Sequence, residues 1–214
     1  MSFLYHEELQ RTPALMGRLR EVAVTTCGAG ALGANIAESL ARSGITRLRV
    51  VDRDRVDERN LSTQPYYRGD IGAQKAKILA NVLYRAVGVS VDAQVKELTP
   101  ANAAQLLHLS DLVIDTFDNS VSRRAVQDYC AGAGIACLHV GLASGYAEVI
   151  WNERYRVPSA ASDDVCDYPL ARNLVLMAVA VACEVTVAFI ATGERKNYTL
   201  TLNDFAVRPY EGIL

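Results

Sequence analysis

Val22-Ala-Val-Thr-Thr26-Cys27-Gly28-Ala-Gly30-Ala-Leu32-Gly33, running on to Arg47-Leu-Arg-Val-Val-Asp52, is the stretch that decides the fold. Val22 to Thr26 is a β-branched run and reads as a buried strand. Ala31 to Ser43 reads as a helix stopped by Gly44, and Arg47 to Asp52 as a second strand. Strand, glycine turn, helix, strand is one βαβ unit, whose two strands lie parallel. The G-x-G-x-x-G spacing at Gly28, Gly30 and Gly33 stands in the context that gives it meaning, after a strand and opening a helix. Glycines let backbone approach a phosphate closely, and the free N–H groups at the helix start favour an anion. Asp52, at the end of the second strand, is placed to accept hydrogen bonds from ribose hydroxyls. These features alone suit NAD as readily as ATP.

Working outward, residues 2–20 read as one polar helix anchored by Leu4, Leu9, Leu15 and Leu19. Residues 54–71 are irregular. Gln74–Val87 has helical spacing, Val89–Leu98 alternates like a strand, and Ala101–Leu107 is a short helix. Leu112–Asp115 and Ala136–Val140 read as strands on either side of a helix over Ser120–Ala133. Ala147–Trp151 is placed to pair with a neighbour. Tyr198–Leu202 and Phe205–Arg208 read as short strands joined at Asn203-Asp204. The expectation is an α/β, Rossmann-like fold: a mostly parallel sheet flanked by helices, with a C-terminal helix and short antiparallel strands. It divides into an N-terminal helix (2–20), a nucleotide-binding core (21–152), a crossover loop (153–169) and C-terminal helix and strands (170–214), all one domain.

Half of the 214 residues are hydrophobic, enough for a sizeable core. The formal net charge of −2 gives no reason to expect a nucleic-acid partner. The five cysteines are odd in number and contain no C-x-x-C pair, so neither a disulfide framework nor a structural zinc is expected, and a reducing, cytoplasmic setting fits. The opening MSFLYHEELQ lacks a basic stretch followed by an apolar one, so it does not read as a secretory signal. Leu174 to Ile190 is apolar except for Cys183, Glu184 and Thr186. It is short for a membrane span and carries a carboxylate mid-way, so it reads as a core or dimer-interface helix rather than a membrane contact.

The residues after Asp52 narrow the chemistry. They are Asp52-Arg-Asp54, Asn60-Leu61-Ser-Thr63-Gln64, Tyr66-Tyr67-Arg68, Asp70-Ile71-Gly72-Ala-Gln-Lys75-Ala76, and later Asp115-Thr-Phe-Asp118-Asn119 with Arg123. In order and spacing this resembles the ubiquitin-activating-enzyme superfamily. That group includes the enzymes that adenylate the thiamine and molybdopterin sulfur carriers and the domains that activate ubiquitin and its relatives. Its pattern is GxGxxG, DxD, NLxRQ, an aromatic run ending in Arg before DIGxxKA, and DN followed by Arg. The match covers about residues 20–150 closely.

The resemblance implies ATP and Mg²⁺ as cofactors. It implies nucleotide contacts from Gly28, Gly30, Leu32, Gly33, Asp52, Asp54, Asn60, Gln64, Lys75, Asp118, Asn119 and Arg123. Catalysis would fall to Lys75 and Arg68, with Asp118 as magnesium ligand. The chemistry agrees: a carboxylate must attack the α-phosphorus of ATP, so two anions need cations and a metal between them. Magnesium prefers hard carboxylate oxygens. One position departs, because the pattern's arginine is Thr63 here. Arg68 or Arg59 is then the nearest cation in sequence. Arg11 lies roughly where relatives donate an arginine across a dimer interface, but the match is too loose to carry that role over.

Cys166, on the polar stretch ahead of the last long helix, matches the place where compact members of the superfamily carry a reactive cysteine. No separate cysteine domain is inserted. The neighbouring Asp163, Asp164 and Asp167 oppose thiolate formation. The resemblance therefore implies activation of a ubiquitin-like or sulfur-carrier protein ending in glycine. A thioester on Cys166 and transfer to a conjugating enzyme would follow, and the enzyme would be a homodimer. The alternatives are sulfur-carrier activation ending in a thiocarboxylate, adenylation of tRNA or a peptide, an NAD-dependent oxidoreductase, and a module that binds ATP without turnover.

Overall fold

Residues 2–158, 170–210 and 212 are described by the computed structural model. The deciding stretch folds as its pattern dictates: Ala23–Cys27 (β1), Ala31–Arg42 (α3) and Arg47–Val51 (β2), with β1 and β2 parallel. Asp92–Gln94 (β3), Leu112–Asp115 (β4) and Ala136–Ala143 (β5) extend the parallel array. Tyr146–Trp151 (β6), Tyr198–Thr201 (β7) and Ala206–Pro209 (β8) then continue it antiparallel. The sheet order is β3-β2-β1-β4-β5-β6-β7-β8. The expected pairing of Ala147–Trp151 is thus made to β5.

Both faces of the central strands are covered, which is why β4 reads as a continuous apolar run. Leu112 and Ile114 enter the larger core, while Val113 faces a second core with Cys27, Leu106, Val126 and Cys130. Lys75–Val87 (α4) and Arg172–Thr192 (α7) join α3 in the larger core. Ala103–Leu107 (α5) and Ser120–Ala133 (α6) cover the other face. Helix α7 packs on α3 and on β5, β6 and β7. Its mid-helix carboxylate, Glu184, sits on the outer side with its side chain 68% exposed.

Three expected elements differ. Residues 2–20 form two helices, Tyr5–Gln10 (α1) and Pro13–Glu21 (α2). Pro13 has no N–H to continue α1, but it suits the first position of a new helix, where the Thr12 side chain accepts from Leu15 N at 3.3 Å. The strand expected over Val89–Leu98 pairs only at Asp92–Gln94, against Arg49–Val51 of β2. Val89 and Leu98 are buried in different cores and act as anchors at either end. The helix expected from Ala101 starts at Ala103, because Asn102 Oδ1 accepts from Thr99 N at 2.8 Å and holds a turn first. Arg11, at the α1–α2 break, pairs within the chain, with Glu7 at 2.6 Å and Glu184 at 2.8 Å.

Candidate nucleotide site

The chain runs from β1 to β2 on one side of the sheet centre, while β4 lies on the other side of β1. The C-terminal ends of β1 and β4 therefore stand side by side, with Cys27 in register with Asp115. Loops leaving such adjacent strand ends toward opposite sides make a crevice, the usual ligand position in open α/β sheets. The glycine turn leaves β1 here, and the Asp118 loop leaves β4.

The three glycines serve different ends. Gly28 has φ +100°, and a Cβ there would sit 2.7 Å from Thr116 Oγ1. A Cβ on Gly33 would lie 2.0 Å from the Gly28 carbonyl oxygen. These two permit close packing of turn, helix and the β4 loop. Gly30 faces open space, and α3 begins on it without a side-chain cap. An uncapped helix start beside open space is an anion cradle. Leu32 is buried under it at 7% exposure. Tyr66 donates its hydroxyl to Ala29 O at 2.8 Å and fixes the turn from below.

Asp52 is buried, and its carboxylate oxygens accept from Ala29 N and Asp54 N, each at 2.6 Å. Burial pushes its carboxyl up, and the two backbone donors and Lys75 pull it back. Lys75 is the first residue of α4 and is only 7% exposed. Its Nζ lies 3.6 Å from Asp54 Oδ2, whose side chain is 58% exposed. A buried cation at the positive end of a helix is electrostatically unfavourable without an anion. The half-solvated Asp54 and the buried Asp52 are the carboxylates that face it.

Other expected residues take varied positions. Asn60 Oδ1 accepts from Asp57 N at 2.9 Å and closes a capping box on the turn Glu58–Ser62. Gln64 is buried, and its Oε1 has no partner among the described residues. Arg68 is exposed in the turn Arg68–Asp70 and makes no ion pair or hydrogen bond among the described residues. Asp118 is exposed and unpartnered in the same sense. Asn119 is the N-cap of α6, accepting from Ser122 N at 2.8 Å. Cys166 lies outside the described residues.

Arg123 departs from the expected nucleotide contact. It is 8% exposed, and its guanidinium donates to Phe117 O at 2.5 Å, Tyr155 Oη at 2.5 Å and Val140 O at 3.3 Å. Those donors are consumed by the protein, so the position is structural. Sequence reasoning also missed Asn35, which bridges Ala31 O (2.7 Å) and Thr63 O (2.9 Å) and pins the 60–64 segment to the start of α3. It missed Arg172 as well, which donates to Ser62 O at 3.1 Å from far along the chain. No local signal marks either contact. Thr63 itself is buried.

The donor set fits a nucleoside triphosphate. It offers free helix-start amides, an open Gly30, a buried lysine, an unpaired arginine and an orphan amide oxygen. Among the described residues no three His, Cys, Asp or Glu side chains cluster as a metal cage. Asp118 alone suits magnesium, which takes few protein ligands and completes its shell with water and phosphate.

Comparison with known proteins agrees. The ThiF family profile matches residues 7–202. A sulfur carrier protein adenylyltransferase of Thermus thermophilus is 36% identical over 130 residues, 58% of this chain and 48% of that protein. A SAMP-activating enzyme E1 of Haloferax volcanii is 35% identical over 59% of this chain and 48% of its own length. The chain thus spans about half the length of these curated relatives. Among solved structures, Escherichia coli MccB bound to MccA superposes with a TM-score of 0.80 at 16% identity, covering 92% of this chain and 65% of that one. An E. coli tRNA N6-threonylcarbamoyladenosine dehydratase in complex with ATP gives 0.78 at 20% identity, covering 89% and 94%. These structural likenesses are to the fold. With the glycine turn, the Asp52–Asp54–Lys75 group and the Asp118 loop assembled at one crevice, and the profile spanning nearly the whole sequence, the chain belongs to the ThiF family.

Proposed function

We propose that this protein adenylates the C-terminal carboxylate of a small carrier protein, using MgATP. The observation that carries the reading is Lys75, a buried cation at the start of α4, next to the ribose-side carboxylates Asp52 and Asp54. In this reading the carboxylate oxygen attacks the α-phosphorus, the bond to the β-phosphate bridge breaks, and pyrophosphate leaves. Helix α3 supplies amide donors to the phosphates, and Lys75 and Arg68 offset the charge of two approaching anions. Asp52 and Asp54 orient the ribose. Asp118 would hold magnesium, which supplies charge neutralisation when bound.

The printed names of the relatives favour a sulfur-carrier or ubiquitin-like protein as substrate. The finer outcome, thioester formation on Cys166 and hand-over to a conjugating enzyme, rests on the position of that cysteine in the sequence. Four other cysteines are buried and free, in keeping with a reducing, cytoplasmic setting. We also propose a homodimer through the outer side of α7, where Leu176 is 42% exposed on an apolar helix. A concentration-independent monomer mass by light scattering would contradict that.

ATP–pyrophosphate exchange with ubiquitin-like and sulfur-carrier proteins tests the main reading. Exchange should require the carrier's terminal carboxylate, disappear in Asp118→Ala and survive in Cys166→Ala. Binding of NADH with no exchange would replace it by oxidoreductase chemistry.

A further inference from the structure

Behind the crevice lies a buried polar cluster that the proposed chemistry does not use. His139, on β5, is fully buried. Its Nδ1 is 2.8 Å from Asp115 Oδ2, and its Nε2 is 2.7 Å from Asn152 Oδ1. The Asn152 amide cannot be reversed without loss, because its Nδ2 donates to Gln127 O at 3.2 Å. Nδ1 therefore faces a carboxylate acceptor and carries a proton toward it, while Nε2 meets the Asn152 oxygen and the Cys137 thiol.

Other groups surround the ring. Complete burial pushes the Asp115 carboxyl up, but the Arg123 charge and the His139 hydrogen bond outweigh it and hold it below the usual range. Arg123 Nη1 stands 3.9 Å from Asp115 Oδ2. From the segment after β6, the Tyr155 ring stacks on the imidazole at 3.8 Å and 9°. Burial pushes the Tyr155 hydroxyl up to about 12, so it stays neutral. Cys137 Sγ is 3.5 Å from Nε2, and its burial keeps it a thiol. Glu148 of β6 adds a second carboxylate, itself pushed up by burial and drawn back by Arg123 and His139. Cys27 of β1 and Cys130 of α6 complete the surroundings as buried thiols.

The cluster ends on the loop that carries Asp118. Asp115 Oδ1 accepts from Phe117 N at 3.1 Å, and Arg123 Nε donates to Phe117 O. The carbonyl of the peptide unit preceding Asp118 and the N–H of the unit before that are thus held from behind. Thr116 N and Oγ1 donate to Cys27 O at 2.9 and 2.8 Å and tie the same loop to the glycine turn.

We infer that His139 is a positioning residue. Its Nδ1–H fixes the Asp115 carboxylate, and through it the Phe117 backbone, so that Asp118 is presented to the crevice. The role of Asp118 as magnesium ligand rests on the adenylation reading; the clamp does not. Without the ring, Asp115 keeps one guanidinium at 3.9 Å and no hydrogen bond from Nδ1–H. It then takes up a proton or turns toward Arg123, and the Phe117 amide is released.

The test has three readouts. In wild type, long-range ¹H–¹⁵N correlation should show a proton on His139 Nδ1; a bare Nδ1 overturns the inference. In His139→Asn, hydrogen exchange at the Phe117 amide should rise about tenfold while Val113 and Ile114 stay protected. Asp115→Asn should reproduce that rise, and the double variant should add little to it. Unchanged exchange at Phe117, or uniform loss of protection, overturns the clamp. By calorimetry, His139→Asn should raise the magnesium concentration for half-maximal ATP binding about tenfold and leave metal-free ATP binding unchanged. An unchanged magnesium requirement overturns the positioning of Asp118. A wild type that binds no ATP removes the adenylation reading instead, and the first two readouts still decide the role of His139.

Discussion

Lys75 is held at its ion-pair partner twice over: its Nζ lies 3.6 Å from Asp54 Oδ2, and its backbone N–H donates to Asp54 O at 2.9 Å. The backbone bond sets where α4 begins and aims the lysine at the crevice. The side-chain pair is loose, and Asp54 can turn to solvent when a stronger anion arrives. Asp52 keeps Asp54 in place by accepting its N–H.

Lys75→Met should cut ATP–pyrophosphate exchange by about 10²–10³-fold, the usual cost of losing one preorganised charge contact. Melting temperature should change little, because Asp54 is half solvated and Asp52 keeps its two backbone donors when the cation is replaced by an apolar chain of similar length. A fall in stability with exchange retained would make Lys75 a structural residue.

Gly33 and Gly30 should separate folding from binding. Gly33→Ala places a methyl 2.0 Å from the Gly28 carbonyl, backbone against backbone. The cost should be about 3 kcal/mol or more by urea denaturation. Gly30→Ala meets no atom within 4 Å. It should fold normally and weaken ATP binding by competing for the space above the helix start, measured by calorimetry.

The contrast between these glycines also shows how far the sequence was legible. The βαβ unit, the parallel strands and the crevice follow from local patterns: β-branched runs, one glycine turn and helical spacing. Those patterns reach Gly30, Asp52 and Lys75 because each sits next to its own element boundary. Arg123 misled because a motif position does not say which way a side chain turns, and tertiary acceptors at Phe117, Val140 and Tyr155 took its donors. The α1–α2 break is written in Pro13, which the reading of Leu4, Leu9, Leu15 and Leu19 as anchors of one helix passes over. His139, Asn35 and Arg172 were illegible, because their partners lie 24, 28 and 110 residues away.

Asp115 should give the fold an acid-sensitive component. Its folded carboxyl lies below its unfolded value, so the stabilisation is complete above the unfolded value near 4 and fades as pH falls through the folded one. Asp115→Asn should cost about 3–5 kcal/mol near neutral pH, since it strands buried Arg123 and His139. The gap between variant and wild type should narrow below about pH 4. Urea unfolding at several pH values checks this, and a gap that is constant with pH would remove the ionic explanation.

Arg172 bears on the missing motif arginine. Thr63 is buried and its carbonyl is held by Asn35, so a long cation built at that position would have to displace the 60–64 segment. Arg172, at the first turn of α7, reaches the same segment from outside and spends one nitrogen on the neutral Ser62 carbonyl. Asn35 ties that segment to the start of α3, so Arg172 meets the chain where it borders the helix start. A charge-assisted contact contributes about 1.5–3 kcal/mol. Arg172→Ala should therefore raise the KM for ATP about tenfold or more, with Arg172→Lys recovering part of it. Thr63→Arg should not restore the loss, because its side chain starts from a buried position. If Arg172→Ala leaves the KM unchanged while Arg68→Ala raises it, the compensating cation is the one nearer in sequence.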